Sequence, residues 1–303
     1  MSITNYFENG CKLCPRTCGA KRNSMSTLGV CKANGSITAA RASLHMWEEP
    51  CLSGERGSGT IFFSGCPLKC VFCQNNEISH EIKGKPISPK RLCEIFFELK
   101  ELGAHNINLV SPTVYIPHIA KAIECAKKQN LAIPVVFNSS GYERAESLKM
   151  LDGLIDIYLP DFKYMSASLA KKYSKTENYP GFAKEAVAEM VRQQPKCSFD
   201  ENQMMQKGVI VRHLVLPGCT DDSKRIIKYL YSKYKDQIYF SIMSQYTPHG
   251  DLSEFDELTQ KLSEEEYDDV INFAVELGIT QGFIQDSESA AESFIPSFDS
   301  RGI

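Results

Sequence analysis

The stretch "TIFFSGCPLKCVFCQNN", from Thr60 to Asn76, joins a short apolar run to a loop that holds three cysteines. The run "TIFFSG" has the β-branched and aromatic residues typical of a buried strand. Cys66, Cys70 and Cys73 follow it at once, with the spacing C-x3-C-x2-C. Clustered cysteines in one loop indicate metal binding or thiol chemistry at the end of that strand.

The chain beyond this loop repeats the strand–helix pattern. The six predicted strands are "TIFFSG", "NINLVSP", "IPVVFNSSG", "DIYLPDF", "VIVRHLVLPG" and "IYFSIMSQY", each followed by a helix-period segment. Strands that alternate with helices of this length pair in parallel through right-handed crossovers. Six units are fewer than the eight of a closed barrel. The sequence therefore predicts an α/β fold, either a partial barrel or an open doubly wound sheet.

Polar side chains concentrate where these predicted strands end, which is where ligands bind in both architectures. The candidate site residues at this edge are Ser111, Thr113, Asn138, Ser140, Asp161 and Lys163. Ordinary turn chemistry explains the first four as well as a ligand role does. It explains Asp161 and Lys163 less well, since two opposite charges lie two residues apart in one loop. Their alternative is a local ion pair of small energetic value.

The composition excludes several classes of protein. The chain has 303 residues, enough for one large α/β domain or for a domain plus a small appendage. Its 43% hydrophobic and 23% charged residues are ordinary values for a soluble globular protein. The net charge is −3 without any block of Lys and Arg, which argues against a nucleic-acid partner. We find neither a signal-peptide pattern nor an apolar run of bilayer length, so we expect a cytoplasmic protein with no membrane partner. Disulfides are not expected among its twelve cysteines.

A second group of cysteines precedes the strand–helix pattern. Cys11, Cys14, Cys18 and Cys31 have the spacing C-x2-C-x3-C-x12-C. Four thiolates suit a closed metal site that would hold together a segment with no core of its own. Zinc and an auxiliary 4Fe–4S cluster both fit these ligands, and the ribbon-like spacing slightly favours zinc or another structural role. We therefore divide the chain into a metal-binding segment (1–59), a barrel (60–289) and a loosely ordered tail (290–303).

The three-cysteine loop has one ligand too few for a structural zinc site. Such a site normally takes four protein ligands, and a catalytic zinc usually recruits His or a carboxylate. The loop contains no His, and His80 lies seven residues beyond Cys73. Three thiolates can instead hold three corners of a cubane 4Fe–4S cluster. The fourth iron would then be open to a ligand that is not protein, with zinc as the rival interpretation.

The loop resembles the signature of the radical S-adenosylmethionine (SAM) superfamily, including Phe72 before the last cysteine. The resemblance implies a partial (β/α)6 barrel in which Cys66, Cys70 and Cys73 bind a 4Fe–4S cluster. It also implies that SAM chelates the open iron through its amino and carboxylate groups. The reduced cluster would donate one electron to the sulfonium, giving methionine and a 5′-deoxyadenosyl radical.

Residues 60–289 are similar to one branch of that superfamily, the glycyl-radical-enzyme activases, of which pyruvate formate-lyase activating enzyme is the best known. The similarity lies in "CVFCQN", "LPDFKYM" and "VRHLVLPGCTDDS", and the four-cysteine segment makes the whole chain most similar to the PflX-type proteins. The resemblance implies that Lys163 binds the SAM carboxylate and that Asp161 positions Lys163 or the SAM ammonium. It implies amino-group contacts for Ser111 and Thr113.

Two positions depart from the activase pattern. The activases carry Gly-Gly-Glu where this chain has Ser111-Pro112-Thr113. Asn138 stands where an acidic residue would face SAM, and we assign ribose contacts to Asn138 and Ser140. Two acidic contacts to SAM are therefore expected to be weaker in this chain than in the activases.

The resemblance implies an enzyme that abstracts hydrogen from a protein or peptide, from a glycine Cα in the activases. Its electrons would come from a flavodoxin- or ferredoxin-type donor. Two alternatives stay open: a radical SAM enzyme acting on a small molecule or an RNA, and a non-catalytic iron–sulfur or zinc protein. The open coordination site argues against an electron carrier, which needs four protein ligands.

Overall fold

The computed structural model describes residues 7, 9–22, 28–284 and 296–303. In these ranges ten strands form one sheet: β1 (Ile37–His45), β2 (Ser58–Phe63), β3 (Lys85–Ile87), β4 (Ile107–Val110), β5 (Val135–Ser139), β6 (Ile157–Pro160), β7 (Ser198–Phe199), β8 (Met205–Leu214), β9 (Tyr239–Met243) and β10 (Gly282–Ile284). Their order is β10-β9-β8-β6-β5-β4-β2-β1-β3, and β7 pairs with β8.

Helices connect most of these strands. The α-helices of the described ranges are α1 (Pro50–Ser53), α2 (Asn76–Ser79), α3 (Pro89–Glu101), α4 (Ile116–Lys128), α5 (Ala145–Leu148), α6 (Ala167–Ser174), α7 (Tyr179–Gln193), α8 (Thr220–Tyr234) and α9 (Glu264–Glu276). Short 3-10 turns cover Pro112–Tyr115, Lys149–Leu151, Lys235–Gln237 and Asp256–Leu258. None of the described helices has both the length and the apolar character needed to span a bilayer.

The six predicted strands form the centre of the sheet as β2, β4, β5, β6, β8 and β9, and every pairing between neighbours among them is parallel. These strands follow one another across the sheet in chain order, without a reversal. Right-handed crossovers then place the connecting helices on one face, as in a barrel, whereas a doubly wound sheet reverses its order. The structure thus confirms the predicted α/β fold as a partial (β/α)6 barrel.

Helix α3 shows how local sequence sets these elements. Ser88 is its N-cap, and its hydroxyl accepts from the backbone N–H of Arg91 at 3.1 Å. Pro89 occupies the first helical position, where its missing N–H has no cost. Leu92 and Phe96 recur on one face and are fully buried against the sheet core. Such a cap contributes about 1 kcal/mol, and each buried apolar side chain about 1.5–3 kcal/mol.

Strand β1 was not predicted from the sequence. It runs antiparallel to β2, with Ala42 opposite Ile61 and His45 opposite Ser58. Its sequence, ITAARASLH, contains several Ala and Ser residues, which give little strand signal. The predicted boundary after residue 59 therefore falls inside β2 (Ser58–Phe63) and assigns β1 and most of β2, which are hydrogen-bonded neighbours, to different segments.

Residues 296–303 lie along the other side of β1. The backbone N–H of Ser300 donates to the Ala40 carbonyl at 2.9 Å. Arg41 and Asp299 form an ion pair with an Nη1–Oδ1 distance of 3.0 Å. Of the predicted loose tail, residues 290–295 lie outside the described residues. Residues 296–303, in contrast, are attached to the sheet by these contacts.

The segment between β1 and α1 enters the barrel. Glu48 and Glu49 lie there, and each is only 8% exposed. The side chain of Asn108, from β4, donates to Glu48 Oε1 at 2.8 Å. The interior of the partial barrel is therefore partly polar, and part of its charge comes from outside the six strand–helix units.

Candidate active site

The three-cysteine loop leaves the carboxyl end of β2 through a tight turn. Gly65 has φ +93°, and a Cβ there would stand 2.8 Å from the Cys31 carbonyl oxygen. Both facts require glycine at this position. Beyond the turn, the backbone N–H of Val71 donates to the Tyr173 carbonyl at 2.9 Å. The loop is thus anchored to helix α6 and to the N-terminal segment.

The sulfur atoms of this loop receive hydroxyl contacts. Ser174 Oγ lies 3.0 Å from Cys70 Sγ, and Ser79 Oγ lies 3.1 Å from Cys73 Sγ. Burial raises the pKa of the Cys70 thiol to about 11, despite the opposing charge of Lys163. Burial also raises the pKa of Cys66. These thiols are therefore protonated at neutral pH unless a metal displaces their protons.

All three cysteines line one cavity of about 260 Å³. The same cavity is lined by most of the predicted strand-end residues: Ser111, Asn138, Ser140, Asp161 and Lys163. Within the part of the chain that the structure describes, the buried Ser140 hydroxyl has no hydrogen-bond partner. The structure thus brings the cysteine loop and the polar strand ends together at one site, with at least one hydroxyl available to a ligand.

Asp161 and Lys163 form the ion pair that their spacing suggested, and Arg212 extends it. Lys163 Nζ lies 2.7 Å from Asp161 Oδ2, and Arg212 Nε lies 3.1 Å from Asp161 Oδ1. Burial alone would raise the pKa of Asp161, but the two cations outweigh it and lower that pKa. The Asp161 charge outweighs burial in the same way and raises the pKa of Lys163. Both groups are therefore charged at neutral pH.

Glu48 completes this network, and sequence reasoning missed it. Its Oε2 lies 3.3 Å from Arg212 Nη1. Arg212 Nη2 also donates to Asn138 Oδ1 at 2.6 Å. Burial raises the pKa of Glu48 because this carboxylate faces only one cation, whereas Asp161 faces two. The sequence offers no signal for Glu48, since it precedes the strand–helix units and lies 164 positions from Arg212.

Thr113 is the predicted site residue that the structure does not bring to the cavity. Its side chain is 2% exposed and donates to Glu143 Oε1 at 2.7 Å. Ser139 donates to the other oxygen of Glu143 at 3.0 Å. Burial raises the pKa of Glu143 to about 7, against the effect of both hydroxyls. The Thr113 hydroxyl thus solvates a buried carboxyl, and Thr113 is not among the residues that line the cavity.

The N-terminal cysteines lie on a segment that contacts the three-cysteine loop, where Arg16 Nε donates to the Pro67 carbonyl at 3.0 Å. Cys11, Cys14 and Cys31 are buried and Cys18 is exposed. Arg22 Nη2 donates to Cys31 Sγ at 3.3 Å. Within residues 7, 9–22, 28–284 and 296–303, no three His, Cys, Asp or Glu side chains converge on one point that could hold a single ion. This holds for both cysteine groups. A cubane does not require sulfurs that converge on one point, because its irons lie at separate corners.

A sequence model of the Radical SAM superfamily matches residues 60–230, more than half of the chain. The chain therefore belongs to the radical SAM superfamily, which confirms the prediction made from its three-cysteine loop. One relative is the uncharacterised protein MJ0674 of Methanocaldococcus jannaschii. It is 31% identical over 279 residues, which is 89% of this chain and 75% of that protein.

Solved structures with TM-scores of 0.50 and 0.51 share the fold at low sequence identity. A radical SAM methyltransferase from Sphaerobacter thermophilus has a TM-score of 0.51 and 11% identity, covering 82% of this chain and 77% of its own. HydG, a maturase of the FeFe-hydrogenase, has a TM-score of 0.50 and 14% identity, covering 74% and 50%. Streptococcus suis SuiB has a TM-score of 0.47 and 14% identity, covering 73% and 47%. The chain spans about half the length of HydG and SuiB.

Membership of the superfamily implies a 4Fe–4S cluster and SAM as cofactors, and the residues of the cavity fit both. Three soft sulfur ligands come from one loop, with hydroxyls beside two of them. A charged ammonium and an available hydroxyl lie on the same cavity wall, and both suit a polar, charged ligand. The matching model describes the whole superfamily and does not distinguish the activases from its other branches.

Proposed function

We propose that this chain reductively cleaves SAM and abstracts hydrogen from a glycine of a protein or peptide partner, as the activases do. One observation carries the SAM site: the three cysteines and the ion pair of Asp161 and Lys163 line the same cavity. When bound, the cluster and SAM supply one-electron cleavage of a C–S bond. The protein's own residues bind, orient and shield them.

In this proposal Cys66, Cys70 and Cys73 hold the cluster, and Lys163 binds the SAM carboxylate. Asp161 and Arg212 are positioning residues for the ammonium of Lys163. Asp161 bonds that ammonium at 2.7 Å and is itself bonded by Arg212 at 3.1 Å. A carboxylate shared by two cations has little freedom to move, so the Lys163 ammonium is preorganised before SAM arrives.

The neutral contacts to SAM are assigned to Ser111, Asn138 and Ser140. Ser111 has φ +58°, a left-handed conformation that costs a non-glycine residue about 1–2 kcal/mol. Strain of this kind on a cavity wall is typical of functional sites. Ser140 offers its hydroxyl to the ribose, while the amide oxygen of Asn138 already accepts from Arg212. Thr113 has no role in this proposal.

The mouth of the cavity supports a macromolecular substrate. Trp47 lines the cavity and is 59% exposed, and the neighbouring Met46 is 42% exposed. Large apolar side chains at the rim of a polar cavity suit a peptide chain that must be held beside the reacting atom. The electron donor is proposed to be a flavodoxin- or ferredoxin-type protein. Exposed Lys32 and Lys175 flank the cluster loop and suit an acidic donor.

The proposed location is the cytoplasm, where a reducing environment keeps thiols free. All twelve cysteines lie within the described residues and all are free thiols. Cysteine clusters of this kind bind metals in reducing compartments.

The test uses full-length protein, reconstituted anaerobically and reduced with dithionite. With SAM we expect 5′-deoxyadenosine and methionine in equal amounts, and neither product without reductant. Peptides carrying α,α-dideuterated glycine are then added. Deuterium in the 5′-deoxyadenosine supports the glycine substrate. Absence of 5′-deoxyadenosine would overturn SAM cleavage, whereas cleavage without deuterium transfer would overturn the glycine substrate alone.

A further inference from the structure

We propose that Cys11, Cys14, Cys18 and Cys31 bind a second metal centre through four thiolates, placed directly against the three-cysteine loop. The centre is a zinc ion or an iron–sulfur cluster, since both require the same soft, anionic ligand set. The inference does not depend on SAM cleavage, because it rests on cations that lie beside these four cysteines.

The first of these cations is Arg22, a buried guanidinium directed at the cysteines. It is 2% exposed, its Nη1 donates to the Val114 carbonyl at 2.6 Å, and its Nη2 donates to Cys31 Sγ at 3.3 Å. Its Nε has no hydrogen-bond partner, and no carboxylate pairs with it, among the residues that the structure describes. Arg cannot lose its proton in a protein, so a buried Arg needs an anion nearby.

The second cation is Lys69, in the three-cysteine loop itself. Its ammonium interacts electrostatically with the thiols of Cys66 and Cys31, and Lys32 and Arg16 act on it as like charges. In the described part of the chain this buried Nζ also lacks a hydrogen-bond partner. Neutral N-terminal thiols would leave Arg22 with no counter-charge, and would leave Lys69 with Cys66 of the first cluster alone. Four thiolates around a divalent ion, or around a cubane, carry net negative charge and would neutralise both.

The position of the segment links the proposed centre to the cluster loop. Arg16 lies between two of the four cysteines, and its Nε donates to the Pro67 carbonyl at 3.0 Å. Its Nη1 donates to the Lys175 carbonyl at 2.9 Å, beside the serine that contacts Cys70. Metal binding would fix the backbone that holds Arg16 in place. The second centre is therefore expected to brace the loop that carries the first.

The four sulfurs do not converge on one point in the described chain. A zinc ion would have to draw them together, whereas a cubane would hold them at separate corners. Counting the metals per chain distinguishes a zinc ion from a second cubane cluster. Zinc would add one equivalent of zinc to the four irons of the first cluster, and a second cubane would double the iron.

The experiment measures zinc and iron per chain on full-length protein purified anaerobically, with Mössbauer spectra to count clusters. The variants are Cys14→Ala and Cys18→Ala, and Cys93→Ala is the control because Cys93 is a buried thiol of α3 outside both groups. We expect wild type and the control to hold metal beyond one cubane, and both test variants to lose that excess while keeping the first cluster.

Cys18 is exposed, so its substitution does not disturb packing and keeps the test valid if Cys14→Ala fails to fold. Cobalt added to metal-free protein gives a second measurement, since cobalt bound by four thiolates has intense visible absorption. Wild type with only one cubane, no zinc and no cobalt–thiolate absorption would overturn the proposal. Unchanged metal content in Cys18→Ala would overturn it as well.

Discussion

The two cysteine groups lie on segments that contact each other, yet the charges around them are balanced in different ways. In the barrel, the cations Lys163 and Arg212 face the carboxylates Asp161 and Glu48 at 2.7–3.3 Å. In the N-terminal segment, Arg22 meets a sulfur and a carbonyl oxygen. The barrel network is complete with protein groups alone and is preorganised for a ligand that carries both charges. In the N-terminal segment, the proposed metal centre would supply the counter-charge of Arg22.

The groups also differ in access. The three-cysteine loop opens on the cavity of about 260 Å³, and none of the four N-terminal cysteines lines it. A loop with three ligands beside a cavity leaves room for a cofactor at the fourth position. A segment with four candidate ligands that lie outside this cavity suits a closed site. Position, as well as ligand number, therefore distinguishes the cluster loop from the second metal centre that we propose.

The largest effect is expected from removing a thiol of the open group. Cys70→Ala should lower 5′-deoxyadenosine formation more than about 100-fold, since loss of a ligand exceeds the 10–100-fold cost of changing its supporting groups. The readout is product formation from SAM under dithionite. Cys93→Ala should retain the wild-type rate, and a Cys70→Ala variant as active as the control would show that the two groups do not differ as proposed.

A smaller effect is expected from the charge network of the barrel. Lys163→Met removes a charged hydrogen bond worth about 1.5–3 kcal/mol, so SAM should bind about 10–100-fold more weakly. Anaerobic equilibrium dialysis with labelled SAM measures this affinity. The control is Lys171→Met, whose side chain is 73% exposed and lies outside the cavity. Equal affinities for the two variants would remove Lys163 from the SAM site.

Glu143 is a buried barrel carboxyl of another kind, because its hydrogen-bond partners are hydroxyls, whereas those of Asp161 are cations. Burial raises its pKa from 4.5 to about 7. A raised acid pKa means that the folded state binds the proton more tightly than the unfolded state. The contribution of Glu143 to the free energy of unfolding is therefore greatest below pH 4.5. It falls as the pH rises toward 7 and is constant above that.

Glu143→Gln should remove that dependence. Between pH 5 and pH 8 the free energy of unfolding of wild type should fall relative to the variant by about 2–3 kcal/mol. Urea unfolding of anaerobic protein at the two pH values measures the difference. Glu146→Gln, at a side chain that is 68% exposed, should follow wild type. Parallel pH profiles for wild type and Glu143→Gln would contradict the assignment.

The smallest effect concerns the hydroxyl beside the open group. Ser174→Ala removes the contact to Cys70 Sγ at 3.0 Å. A hydroxyl donating to sulfur stabilises the more negative, reduced cluster, so its loss should lower the reduction potential. A hydrogen bond worth about 1 kcal/mol corresponds to roughly 40 mV for one electron. An EPR-monitored titration would show it, with the exposed Ser168→Ala unchanged and a rise in potential contradicting the argument.

The sequence predicted those parts of the molecule whose signal is local. The six parallel strands have apolar runs, and Asp161 and Lys163 stand together at a strand end, where ligands bind. It did not predict β1, whose Ala and Ser residues are placed in the sheet by pairing with β2. Nor did it predict Glu48, because the partners of this carboxylate come from β4 and β8, far along the chain.

Thr113 shows a different limit. Its place at the end of a strand was predicted correctly, but its hydroxyl is bonded to Glu143, which lies 30 positions away. Position along a strand indicates which edge of the sheet a residue occupies. It does not indicate which neighbour takes its hydrogen bond, since that depends on contacts between separate strands and loops.

The attachment of residues 296–303 to β1 has a consequence for the order of folding during synthesis. Arg41 and Asp299 are bonded across 258 positions of sequence. At about 5–20 residues per second, roughly 10–50 s separate their emergence from the ribosome. Strand β1 can pair with β2 early, while its contact with the C-terminal residues must wait for them. Pulse labelling of ribosome-bound chains should therefore show protection of the Ala42 amide, which bonds to the Arg301 carbonyl, only late.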